Sequence, residues 1–200
     1  MRSVEVDPDR FDRWLDGFAD RHGPFDAIRE ETAGGVVVRA EARDGARIVA
    51  TPFTHDPLGL VLVRRGGYAA GLAHGSTLAA AKVGSRHVQS RTAAGGWSQQ
   101  RFARRRGKQV DELVDAVVGH VRRVLLEGDE SPARNAPGVP RGLVVGGDRT
   151  LVGQVLAAPA LRALLGLPTR ELYDLPDPKR DVLETALRRG RAYRISIDEP

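Results

Sequence analysis

Val110, Leu113, Val114, Val117, Val121, Val124 and Leu125 recur at helical spacing and make one continuous apolar stripe. They predict a helix over about residues 99–127, the longest in the chain. A helix with one apolar face needs a second layer to cover it. The segments upstream supply one. Residues 36–40, 47–53, 58–65, 68–74, 77–83 and 86–91 read as short strands, and Asp44-Gly45, Gly66-Gly67 and Gly75-Ser76 are turn signals between several of them. They predict an antiparallel meander.

At the N-terminal end, Asp7-Pro8-Asp9 has the form of a helix start, and His22-Gly23-Pro24 has the form of a stop. Phe11, Trp14, Leu15 and Phe18 lie between them at helical spacing, a stripe that reads as core rather than as a binding face. Beyond the long helix, residues 128–140 (GDESPARNAPGVP) form a turn-rich linker. Leu143-Val144-Val145 reads as a buried strand, and Gly146-Gly147-Asp148 turns it into a helix running through Leu165. A strand near 170–175, a helix near 180–189 and a strand near 193–197 follow. The expected fold is therefore mixed α/β, a mixed β-sheet with flanking helices. Two hundred residues allow one substantial core or two small ones. A single domain over 1–200 is the expectation.

The composition, 41% apolar and 28% charged, is that of a globular chain. Cysteine is absent, which excludes disulfides and thiolate metal sites. His22, His55, His74, His87 and His120 are scattered without HxxxH or HExxH spacing, so neither a metal site nor a cofactor is expected. Gly146-Gly147-Asp148-Arg149-Thr150 lacks the lysine of a phosphate-binding P-loop, and no nucleophile elbow stands out. No apolar run approaches the roughly 18–20 residues of a membrane span, and no signal-like apolar segment follows Met1. A cytoplasmic protein without a membrane partner is expected.

Charge is distributed unevenly. Residues 57–110 contain no Asp or Glu, while Arg64, Arg65, Lys82, Arg86, Arg91, Arg101, Arg104, Arg105, Arg106 and Lys108 supply ten positive charges. The chain is only +5 overall, so its other 21 basic and 26 acidic residues net to −5. Basicity focused in this way points to a polyanion, with an RNA or DNA backbone the usual one. It gives no reason to expect a dimer, so a monomer is expected.

The centre of the basic region is Gly95-Gly96-Trp97-Ser98-Gln99-Gln100-Arg101-Phe102-Ala103-Arg104-Arg105-Arg106. Ser98 is a good N-cap for the long helix, with Gln99 and Gln100 in its first turn. Cations near a helix N-terminus are mildly unfavourable, by a few tenths of a kcal/mol each. Yet Arg101, Arg104, Arg105, Arg106 and Lys108 crowd the first three turns, and none of the four arginines has an acidic residue three or four positions away to relieve it. A phosphate docked at the helix start turns those penalties into attractions. Gly95 and Gly96 give a flexible loop over about 92–98 that can approach a substrate closely. Glutamine stays neutral, so it is no general base, but its amide can hold a water for attack on an activated ester carbonyl.

This segment resembles the catalytic loop of eukaryotic and archaeal class I release factors, which carry a glycine-glycine-glutamine loop running into a helix of the form GGQSALRFARLR. Gly95, Gly96, Ser98, Arg101, Phe102, Ala103, Arg104 and Arg106 match that pattern without a gap. Trp97 occupies the position of the family's catalytic glutamine, and Gln99 and Gln100 follow two and three residues later. That shifted form is similar to the Vms-like release factors of actinobacterial type. The resemblance implies a release-factor central-domain fold related to ribonuclease H. It also implies peptidyl-tRNA hydrolysis on stalled ribosomes or large subunits, with peptidyl-tRNA, the large subunit and ribosomal RNA as partners. Gln99 is then the functional amide, with Gln100 second, and Gly95 and Gly96 are the hinge. Trp97, Arg86, Arg91, Arg101, Arg104, Arg105, Arg106 and Lys108 are the RNA-binding set. Two other readings remain open: a ribonuclease acting on the CCA end of tRNA, and a ribosome- or RNA-binding module without catalysis.

Overall fold

The computed structural model describes residues 2–85, 98–127 and 139–200, with residues 98–106 described in backbone only. The strand expected over 86–91, the glycine loop up to residue 97 and positions 128–138 of the expected linker lie outside these. In chain order the first elements are β1 (Arg2–Val6), α1 (Phe11–His22), β2 (Phe25–Thr32), β3 (Gly35–Ala42), β4 (Arg47–Thr51), β5 (Leu58–Arg64), β6 (Gly67–His74) and β7 (Thr77–Ser85). Then come α2 (Ser98–Arg122), β8 (Gly142–Gly147), α3 (Arg149–Leu156), β9 (Thr169–Leu172), α4 (Arg180–Arg191) and β10 (Tyr193–Asp198).

The chain groups into two compact units, Met1–His55 with Leu187–Pro200, and Asp56–Ala186. In the first, Asp7 accepts the Asp9 amide at 3.2 Å and heads a 3-10 turn, Pro8–Arg10, that feeds α1. Gly23 closes α1 with φ 87° and donates its amide to the Ala19 carbonyl at 2.8 Å. The five strands run in the order β1-β10-β4-β3-β2, antiparallel throughout. Pairing register lines up Val4, Ile195, Ala50 and Val38 across four of them. Phe11, Leu15 and Phe18 bury their side chains in the same core as Val38, Ala50 and Ile195. Phe11 stacks on Tyr193 with centroids 3.8 Å apart. The aromatic stripe is core, as its spacing predicts, except that Trp14 is only partly buried.

The second unit is built on β5, whose sequence LGLVLVR is buried at every residue but Arg64. Burial on both faces marks a central strand. Its sheet runs β7-β6-β5-β8-β9, with β7, β6 and β5 antiparallel. β8 lies parallel to β5, and β9 parallel to β8. Parallel neighbours need a crossover. The chain makes the crossover from β8 to β9 with α3, and it returns from β7 to β8 through α2. Leu113, Val117 and Val121 of α2, with Leu125 of the π-helical turn that follows it (Arg123–Glu127), are fully buried and pack with Val61, Val63, Leu72, Leu143 and Val145 of the sheet and Leu151, Val152 and Val155 of α3. Leu183 of α4 comes within 3.1 Å of where a Gly71 Cβ would stand. The long apolar stripe thus finds the layer it requires, and the mixed α/β class holds.

Details differ from expectation. The strands form two sheets, with a break at residues 52–57, rather than one meander. β1 and β2 appear where sequence periodicity marks nothing. The helix expected through Leu165 ends at Leu156, and a separate 3-10 segment, Pro159–Leu164, follows, because proline cannot continue the ladder of amide hydrogen bonds.

Candidate nucleic-acid interface

α2 begins at Ser98, the residue with the best capping chemistry after the glycine pair. Its first turn holds no acidic residue, and it runs unbroken for 25 residues, about 37 Å at 1.5 Å per residue. Gln99, Gln100, Arg101, Arg104, Arg105 and Arg106 all fall on the helical backbone of its N-terminal end. Positions 101, 104, 105 and 108 stand at spacings of three, four and seven, so they share one backbone stripe. Lys108 is exposed. The side chains of Gln99, Gln100, Arg101, Arg104, Arg105 and Arg106 lie outside what is described, as do Arg86, Arg91, Gly95, Gly96 and Trp97 altogether.

The other basic residues of the acid-free stretch divide in two. Arg64 is structural: its Nη2 donates to the Leu175 carbonyl at 2.6 Å, and its Nε stands 4.0 Å from Asp177 Oδ1. Arg65 and Lys82 are exposed. The helix start therefore belongs to a unit in which two further exposed cations, Arg65 and Lys82, come from the same acid-free sequence. This arrangement favours an anionic ligand through both the unpaired amides of a helix N-terminus and the positive side chains.

All four described histidines have a plain structural setting, His55 standing edge-on to the Phe53 ring with centroids 4.6 Å apart. His22 Nδ1 stands 2.8 Å from Asp44 Oδ2, His74 Nδ1 is 3.9 Å from Asp56 Oδ2, and His120 stacks on Tyr68 with centroids 5.0 Å apart. No group of three or more His, Cys, Asp or Glu suited to a metal occurs among the described residues. No helix among them is long and apolar enough to cross a membrane. Gly146 and Gly147 form a strand end and turn rather than a phosphate loop. The Asp148 side chain that follows accepts the amides of Thr150 (2.9 Å) and Leu151 (3.1 Å), so the chain itself caps α3.

One feature escapes a search for apolar periodicity. α1 carries Arg10, Arg13 and Arg21 on a face away from its core stripe, at a spacing visible in the sequence. Comparison with curated proteins gives no match. A family model for the Actinobacteria/Chloroflexi VLRF1 release factor matches residues 56–196, well over half of the chain and all of the second unit. The chain belongs to the Actinobacteria/Chloroflexi VLRF1 release factor family.

Proposed function

We propose that this protein is a peptidyl-tRNA hydrolase that frees nascent chains on stalled ribosomes or large subunits, the 200 residues working as one catalytic module. The observation that carries the reading is the start of α2. A helix N-terminus opens directly behind a glycine pair, with two glutamines in its first turn and an acid-free basic stripe along its backbone. Membership of a release factor family supports it. The mixed sheet of the second unit, three antiparallel strands followed by two parallel ones joined across a helix, supports a release-factor central-domain fold related to ribonuclease H.

In this mechanism Gly95 and Gly96 let the loop enter a narrow catalytic centre, and Gln99 holds the attacking water through its amide, with Gln100 as the second candidate. The water oxygen adds to the ester carbonyl carbon, the bond to the ribose oxygen breaks, and that oxygen takes up the proton. The products are a free peptide acid and a tRNA with an intact CCA end. Arg86, Arg91, Arg101, Arg104, Arg105, Arg106 and Lys108 hold phosphates of tRNA and ribosomal RNA. Trp97 stacks on the tRNA end, a contact worth about 1–3 kcal/mol. The reaction uses no cofactor, and the protein acts as a cytoplasmic monomer.

The test is release of labelled peptide from peptidyl-tRNA on isolated large subunits, with the tRNA 3′ end resolved. Release with an intact CCA end, lost in Gln99→Ala, is the expected result. A shortened tRNA would make the protein a nuclease. Binding without release, where a known release factor works on the same substrate, would leave a docking module.

A further inference from the structure

In the first unit, a cavity of about 480 Å³ opens beside α1, within the roughly 300–1,000 Å³ range of small-ligand clefts. Arg10, Arg13 and Arg21 line it from the start and body of α1, Arg188 lines it from α4, and Trp14 and Gly17 are also part of its wall. None of the four arginines has an ion-pair partner among the described residues. The two acids in the lining are otherwise engaged. Glu5 Oε2 accepts from Arg189 Nε at 2.7 Å, its Oε1 is 3.7 Å from Arg194 Nε, and Asp7 accepts the Asp9 amide.

The sequence of α1 sorts its charges by face. Positions 10, 13, 14, 17 and 21 recur at spacings of three and four, so they share one side of the helix. Asp12, Asp16 and Asp20 recur at four-residue steps on another, and Phe11, Leu15 and Phe18 on the buried third. Helix stability favours opposite charges at such spacings and disfavours like ones. Gly17 adds to the case. Only proline is a poorer choice for a helix interior. Packing does not require the glycine, since a Cβ there would meet only Arg21 Nη1, at 3.7 Å. Its absence keeps the groove clear beside the Trp14 ring.

We infer that this groove is a second RNA-contact site, taking a single-stranded segment with a base against Trp14 and its phosphates on Arg10, Arg13, Arg21 and Arg188. Guanidinium groups suit phosphate, and an indole ring takes any base. Arg10 and Arg21 are eleven residues apart, roughly 16 Å along the helix. That distance fits a strand of several phosphates better than a single phosphate group. Except for Arg188 the site lies outside the matched residues 56–196, and it does not rest on the hydrolytic reading.

The chain has two tryptophans, so Trp97→Phe leaves Trp14 as the sole indole reporter. Full-length protein of that background is titrated with a decauridylate oligonucleotide, labelled for anisotropy in a parallel run. Saturable quenching of Trp14 fluorescence is expected. Arg13→Ala with Arg21→Ala should weaken the quenching transition about tenfold or more. It should also lower the slope of log K against log salt by about 1.4, two single-strand contacts at about 0.7 each. Gly17→Met, which fills the groove, should abolish quenching, while Gln99→Ala should leave it unchanged. Bound oligonucleotide without Trp14 quenching overturns the proposal, as does quenching that survives the arginine pair. Equal quenching by uridine monophosphate at the same nucleotide concentration would replace the strand with a mononucleotide.

Discussion

Gly147 and Gly153 lie six residues apart and are alike in the sequence, but the structure gives them opposite weights. Gly147 has φ 99°, and a Cβ there would run into the Val63 carbonyl oxygen. Gly153 sits inside α3 with nothing within 4 Å of the added atom. Gly147→Ala should cost about 2–3 kcal/mol in urea unfolding. Gly153→Ala should instead be neutral or stabilise by up to about 1 kcal/mol, the helix-propensity difference. A turn at Gly146-Gly147-Asp148 is legible from residue types, but which backbone atom forbids a side chain is not, because the strand that supplies it is some eighty residues away in sequence. Asp44 shows a second effect at this scale. Its carboxylate accepts the Ala46 amide at 2.9 Å and pairs with His22, and these contacts hold its pKa below the usual aspartate value of 3.8. A depressed carboxylate stabilises the fold above its unfolded pKa, and that contribution is lost as pH falls through the lower folded value. Asp44→Asn should therefore flatten the acid limb of a stability-versus-pH curve below about pH 4 and change little at neutral pH beyond the lost hydrogen bonds.

Among the elements, α2 was the easiest to read and β2 the hardest, and burial explains both. The stripe on α2 and the turn after it ends in four side chains with no solvent exposure, Leu113, Val117, Val121 and Leu125. Leu113→Ala should cost about 2–5 kcal/mol in denaturant unfolding, as expected for a cavity in a packed core. β2 pairs only with β3, and all its residues after Phe25 are exposed. An edge strand with no buried face has no alternation to display, so FDAIREET passes for a polar loop. β1 is short and buries only Val6, with the same consequence. α2 starts at Ser98, one residue ahead of the start expected at Gln99, so cap chemistry marks its beginning to within a residue. The groove beside α1 was not legible, because the aromatic spacing of Phe11, Trp14, Leu15 and Phe18 accounts for the helix so well that the arginine spacing goes unasked. Asp148→Ala, which removes the side-chain acceptor for two α3 amides, should cost about 1 kcal/mol, read as a lower urea midpoint with an unchanged slope.

Across the whole molecule, net charge of +5 conceals a chain whose residues 57–110 carry +10 while the rest carries −5, because every acidic residue lies outside that stretch. Binding to isolated large subunits should therefore fall steeply with salt. Arg104→Ala with Arg105→Ala should lower the slope of log K against log salt by about 1.4–1.8, whereas substituting Arg64, tied to Leu175 and Asp177, should act on stability first. Those two roles look identical in a charge count and separate only when partners are known. The first unit has a further property, set by the position of β10 between β1 and β4. Its inner strand comes from residues 193–198, whereas every other strand of that sheet lies before residue 52. During synthesis the place between β1 and β4 must wait until the whole of a different unit, Asp56–Ala186, has emerged. The second unit has all its strands in hand by then. A nascent copy halted anywhere between residues 52 and 192 would present β1 and β4 with no strand between them, two open edges for a chaperone or protease to find.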